Sequence, residues 1–114
     1  MYGGFGPEKF DCSGFTYYCF KQIGITLKDS AYKQGYDSKY EKLMTFSELK
    51  RGDVVIFNTV SDSDLSDHTG IYLGNGYFIH ASSSAKKVVV SQFKTSSSNY
   101  YERVFSWGLR ILDT

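Results

Sequence analysis

From residue 12 onward the apolar side chains Phe15, Tyr18, Cys19 and Ile23 recur at three- and four-residue steps, the period of one helix face. Asp11 stands where an N-cap belongs and Gly24 where a helix stops, so the pattern predicts an amphipathic helix beginning at Cys12. The Gly- and Pro-punctuated residues 2–9 read as a loop leading into it. Residues 30–36 predict a short second helix, and Ser47-Glu48-Leu49 one further turn that closes at Arg51-Gly52-Asp53. After that the pattern changes to strands. Val54-Val55-Ile56-Phe57 is a continuous β-branched and aromatic run, the mark of a strand covered on both faces. A polar loop over 61–67 leads to Thr69–Leu73 and Tyr77–Ala81, which flank Gly74-Asn75-Gly76 and predict a hairpin. Lys87–Gln92 and Phe105–Leu112 are further strand candidates, separated by a Ser-rich loop around 96–98. Helix first and strands afterwards predicts an α+β domain.

Composition narrows the function classes. The 114 residues show no internal repeat and no domain boundary, so one core is expected. Aromatic residues make up 18% of the chain, mostly Tyr and Phe, which supplies apolar area despite the short length and leaves tyrosines to line a groove. A net charge of +1 gives no electrostatic footprint for nucleic acid, so no nucleic-acid partner is expected. No apolar run is long enough to span a membrane. The chain enters its Gly-rich segment directly at Met1-Tyr2-Gly3-Gly4 with no secretory leader, which fits a domain cut from a longer precursor.

The chemistry concentrates at Asp11-Cys12-Ser13-Gly14. A thiol at a helix start feels the positive end of the helix dipole and the open N–H groups of the first turn, and both favour thiolate. Cys19 sits mid-helix and reads as a small core residue. The two cysteines would stand roughly 10 Å apart at about 1.5 Å of rise per residue, too far for a disulfide, so both are expected as free thiols. The chain has two histidines, His68 and His80, one on each side of the hairpin. A two-residue turn at Asn75-Gly76 pairs Ile71 with His80 and puts the histidines on opposite faces. A three-residue turn, with Gly76 in the left-handed region, pairs Gly70 with His80 and makes the histidines diagonal neighbours on one face. The sequence leaves the register open, and chemistry favours the second. In that arrangement Cys12 is the nucleophile, His68 the base and later the acid, and His80 the group that orients His68. The Cys12 backbone N–H is then placed to donate to an oxyanion. Asp53 reads as a turn residue. Zinc ligation by Cys12, Cys19, His68 and His80 does not fit the usual ligand spacings, so neither metal nor cofactor is expected.

Several segments taken together resemble the NlpC family of cell-wall cysteine peptidases: Tyr2-Gly3-Gly4, Phe10-Asp11-Cys12-Ser13-Gly14-Phe15, Arg51-Gly52-Asp53-Val54, His68 through Gly76, and Phe78-Ile79-His80-Ala81. The resemblance covers nearly the whole chain in order. It implies a papain-like α+β fold in which an N-terminal helix carrying the cysteine packs on an antiparallel sheet. It implies a single catalytic domain over 1–114, begun without the helix and aromatic residue that usually precede Tyr-Gly-Gly. It implies a catalytic triad of Cys12, His68 and His80, with Asp11, Ser13 and Tyr2 binding substrate and the first two holding the free amine of L-alanine. The implied partner is the peptidoglycan stem peptide, and the implied reaction is hydrolysis between γ-D-glutamate and the diamino acid. By the same resemblance the protein is secreted or associated with the cell wall, although no wall-targeting module stands in this chain. The basic-plus-serine segment that follows the first helix in the family is matched only loosely, by Leu27-Lys28-Asp29-Ser30. The same triad can serve an amidase, a transpeptidase or a lipid acyltransferase, and the same fold can persist as an inactive wall-binding module.

Overall fold

The computed structural model describes residues 12–28, 30–59, 68–82, 87–94 and 96–112, with the side chains of 12, 13, 31, 32 and 82 outside that description. Helix α1 (Cys12–Lys21) leads into α2 (Ala31–Gly35), strand β1 (Glu41–Leu43), a 3-10 turn (Phe46–Glu48), β2 (Val54–Phe57), β3 (His68–Gly74), β4 (Tyr77–Ser82), β5 (Lys87–Gln92), α3 (Tyr100–Val104) and β6 (Phe105–Arg110). The strands form one sheet in the order β1-β6-β2-β3-β4-β5, with every pairing antiparallel. This is the expected α+β architecture.

Gly24, at φ +83°, ends α1. The Ile25 N–H donates to the Phe20 carbonyl at 3.0 Å and the Gly24 N–H to that of Lys21 at 3.1 Å, the paired bonds of a Schellman stop. Ile25 then packs with Phe20 in the core beneath the helix. The stop corrects the expected helical stripe. Ile23 lies in the closing turn and is exposed, whereas Phe15, Thr16 and Phe20 are buried.

Val54-Val55-Ile56-Phe57 is buried throughout and divides its side chains between two cores. Val54 and Ile56 join Phe20, Leu27, Trp107 and Leu109 on the α1 face. Val55 and Phe57 join Leu43, Leu49, Tyr72, Phe78 and Phe93 on the other. The continuous apolar run thus marks a strand with both faces covered, as its composition predicts.

Asp53, read from the sequence as a turn residue, fastens the turn before β2. Its buried carboxylate accepts from the Lys50 N–H at 2.7 Å and from Arg110 Nε at 2.7 Å and Nη2 at 3.1 Å. Gly52, at φ +96°, lets its N–H reach the Tyr72 carbonyl at 2.8 Å, and the Tyr72 N–H returns to the Asp53 carbonyl at 2.8 Å. The start of β2 is thereby locked to β3 and β6.

Two elements were not expected. β1 is a three-residue edge strand on β6, and α3 is a five-residue helix between the Ser-rich loop and the last strand. Among the described residues no helix is long and apolar enough to cross a membrane.

Candidate active site

The β3–β4 hairpin decides where the histidines go. Ile71 pairs with Ile79 and Tyr72 with Phe78, and that register continued by one residue faces Gly70 with His80. This is the register expected of the three-residue turn, but it arises differently. Gly74 remains in the ladder opposite Tyr77, and the turn proper is Asn75-Gly76 with both residues at positive φ, 55° and 83°. The missing residue of offset is absorbed by a bulge between Tyr72 and Gly74, where Gly74 takes φ +98°. The Gly76 N–H donates to Tyr72 Oη at 2.8 Å and ties the turn to the strand.

His68 and His80 therefore share one face. His68 Nε2 lies 2.7 Å from His80 Nδ1, with the ring planes nearly perpendicular at 87°. Gly70 provides the room. A Cβ at that position would meet the Ile79 carbonyl oxygen at 3.0 Å, Phe78 Cδ2 at 3.1 Å and His80 Cβ at 3.2 Å. Aromatic rings enclose the pair, with Phe57 beside His68 and Phe78 and Tyr101 beside His80. His80 is only 1% exposed. Burial, and secondarily the charge of His68, pull its pKa down to about 4, so it is neutral at pH 7. A neutral imidazole in contact with Nε2 of His68 leaves Nδ1 as the nitrogen of His68 that the pair does not use.

Helix α1 is held against this hairpin from the opposite face. Thr16, one turn after Cys12, donates from its hydroxyl to Gln34 Oε1 at 2.7 Å and lies 3.3 Å from the hydroxyl of Thr69, the residue after His68. Gln34 Nε2 closes the clamp on the Lys28 carbonyl at 2.7 Å. All three side chains are buried. The backbone of Cys12 is the first residue of α1, as expected. Tyr2 and Asp11 fall outside the described residues, as do the side chains of Cys12 and Ser13. Cys19 is a half-buried free thiol whose pKa burial pushes up, the opposite of activation. Among the described residues no three His, Cys, Asp or Glu side chains converge on a metal-sized site.

Sequence reasoning missed Ser91. On β5 it pairs with Phe78 and stands diagonal to His80, and its Oγ lies 2.9 Å from His80 Nε2. It also missed Tyr101, whose phenol Ser91 contacts and whose ring packs on His80. A serine closing a valine run was the available signal, but its relation to His80 depends on the β4–β5 register, which no local motif announces.

Residues 1–107 match the family model described as the NlpC/P60 family. Among curated proteins, the chain is 33% identical over 111 residues to the murein DD-endopeptidase MepS/murein LD-carboxypeptidase of Escherichia coli K12, covering 96% of this chain and 54% of that protein. It is 44% identical over 86 residues to the probable endopeptidase p60 of Listeria seeligeri, covering 75% of this chain and 15% of that one. The chain thus spans about half the length of the first and a small part of the second. Among solved structures, a Staphylococcus aureus Mu50 protein described as similar to a lipoprotein of the NLP/P60 family superposes with a TM-score of 0.80 at 27% identity, over 100% of this chain and 36% of that one.

Proposed function

Because the chain belongs to the NlpC/P60 family, we propose that it is a peptidoglycan hydrolase that cuts stem peptides with a triad of Cys12, His68 and His80. The observation that carries this reading is the 2.7 Å contact from His68 Nε2 to His80 Nδ1 in an aromatic enclosure on the strand beside α1. With Nε2 committed to His80, Nδ1 of His68 takes the thiol proton. The Cys12 thiolate attacks the substrate carbonyl carbon while the Cys12 N–H supports the oxyanion. His68 returns the proton to the departing amine as the C–N bond breaks, and water then releases the acid from the thioester. His80, neutral and held from both ring nitrogens, fixes the ring of His68 without competing for the thiol proton.

The bond we assign is that between γ-D-glutamate and the diamino acid, with Asp11, Ser13 and Tyr2 receiving the L-alanine end of the stem. The protein would act outside the cytoplasm, at the wall. The name of the Escherichia coli relative favours a second reading, in which the bond cut lies in a D,D-cross-link between stems.

Purified protein incubated with a free tripeptide stem and with a cross-linked muropeptide dimer, followed by mass analysis, separates these readings. Release of L-Ala-D-Glu from the tripeptide is the expected result. Conversion of dimer to monomers with intact tripeptide selects the D,D reading, and cleavage at the sugar–L-Ala bond makes the protein an amidase. A Cys12→Ser variant that cleaves as well as the parent overturns the triad, and no cleavage of either substrate overturns the hydrolase reading.

A further inference from the structure

The histidine pair does not end at His80. His80 Nε2 lies 2.9 Å from Ser91 Oγ, and Ser91 in turn contacts the phenol of Tyr101. We propose that Ser91, backed by Tyr101, is a positioning residue that sets the tautomer of His80 and thereby the proton-accepting state of His68. This rests on the Cys12–His68–His80 reading above.

The argument is one of counting protons. When His68 holds the thiol proton it is an imidazolium, and both its nitrogens are donors. Its Nε2–H then requires a lone pair on His80 Nδ1, 2.7 Å away. His80 is neutral, so it carries a single ring proton, which must sit on Nε2. At Nε2 the group within reach is Ser91 Oγ, which accepts. Tyr101 closes over this end of the hydrogen-bonded chain, with its ring packed on His80. Burial, and secondarily the neighbouring Tyr100, push the Tyr101 pKa up from 10, so its phenol stays protonated and uncharged at pH 7. In the state that holds the thiol proton, the donors therefore run from His68 through His80 to Ser91, with each one facing an acceptor.

The opposite tautomer fails in a defined way. With the proton on His80 Nδ1, His80 donates to His68 Nε2, and neutral His68 must then carry its own proton on Nδ1. That nitrogen cannot take the thiol proton. Removing Ser91 leaves a buried Nε2–H without its acceptor, which costs as much as any unsatisfied buried donor and moves His80 towards the unproductive tautomer. The substrate-binding residues named above are untouched, so the loss falls on kcat.

The chain has two histidines, so its imidazole nitrogens are few enough to assign in an untagged, 15N-histidine-labelled sample. Long-range 1H–15N correlation at pH 7 reads the tautomer directly, and stem-peptide hydrolysis reads kcat and KM separately. The parent protein is expected to show His80 protonated on Nε2. Ser91→Ala is expected to move His80 towards Nδ1–H and to lower kcat about 10- to 100-fold at nearly constant KM, a wrong-tautomer effect smaller than loss of a charged orienter. Ser91→Thr, which keeps the hydroxyl, should restore both, and Tyr101→Phe should cost about 3- to 10-fold with the tautomer retained, as expected for one neutral hydrogen bond. His80 protonated on Nδ1 in the parent protein overturns the proposal, as does a Ser91→Ala variant with unchanged tautomer or unchanged kcat. The spectrum needs no substrate. A parent protein with the expected tautomer but no hydrolysis therefore overturns the triad reading and the positioning role together, while the wrong tautomer in an active parent overturns the positioning role alone.

Discussion

The two faces of the sheet solve opposite problems with polar groups. On the α1 face, an aliphatic and tryptophan core surrounds a buried clamp of Thr16, Gln34 and Thr69, all neutral and all bonded to one another or to backbone. That clamp fastens the helix bearing Cys12 to the strand bearing His68. On the other face, packed rings of Phe57, Phe78, Phe93 and Tyr101 surround two titratable imidazoles. There the dry surroundings alter the chemistry and not just the stability, since burial is the first cause of the lowered His80 pKa. One face holds the site's parts in register, and the other keeps His80 neutral.

The largest expected effect comes from emptying each core. Trp107 and Phe57 are both buried, Trp107 with its Nε1–H donating to the Gly35 carbonyl at 2.9 Å and Phe57 stacked among five rings including that of His68. Trp107→Ala and Phe57→Ala should each cost about 3–5 kcal/mol in denaturant unfolding. They should differ in activity per folded molecule, with Phe57→Ala impaired and Trp107→Ala near parent level. Equal activity in the two variants would erase the division of labour between the faces.

The next effect is smaller and depends on pH. His80 has a folded pKa of about 4 against the ordinary 6.5 expected when unfolded. Between those values the unfolded chain binds more protons than the folded one. The His80 contribution is therefore intact above pH 6.5 and is lost as pH falls towards 4, by on the order of 2 kcal/mol after allowance for solvent screening. His80→Asn should flatten that slope. A parent protein equally stable at pH 4.5 and pH 7 would show that the aromatic face does not control protonation.

Least is expected from the neutral clamp. Thr16→Val keeps the shape and removes the hydroxyl shared with Gln34 and Thr69, so unfolding should fall by about 1–2 kcal/mol with no change in pH slope. A pH-dependent loss in this variant would mean that the two faces are coupled rather than separate.

The elements legible in the sequence are those with a strong local signal. Cys12 at a helix start, the Gly24 stop, the doubly covered β2 and the Gly-Asn-Gly hairpin each follow from residues next to one another. The histidine pairing was legible only as one of two registers that the sequence leaves open and the chemistry ranks, and a bulge between Tyr72 and Gly74 delivers the favoured one by another route. β1 was not legible: Glu41-Lys42-Leu43 has no strand pattern of its own and exists by pairing with β6. α3 is too short to be stable as a local helix and stands where Tyr101 packs on Phe57, Phe78 and His80. Ser91 was hidden for the same reason, since its contact with His80 belongs to the fold and not to the neighbourhood of either residue.

Ser91 also lies on β5, the last strand of the described sheet, secured at its far end by the Phe93 N–H to the Gly76 carbonyl at 2.9 Å. Outer strands fray at lower free energy than inner ones. Warming should accordingly detach Ser91 from His80 while β2 and β3 still hold, and if Ser91 positions His80 as proposed, heat reaches the proton relay from the rim of the molecule before its centre melts.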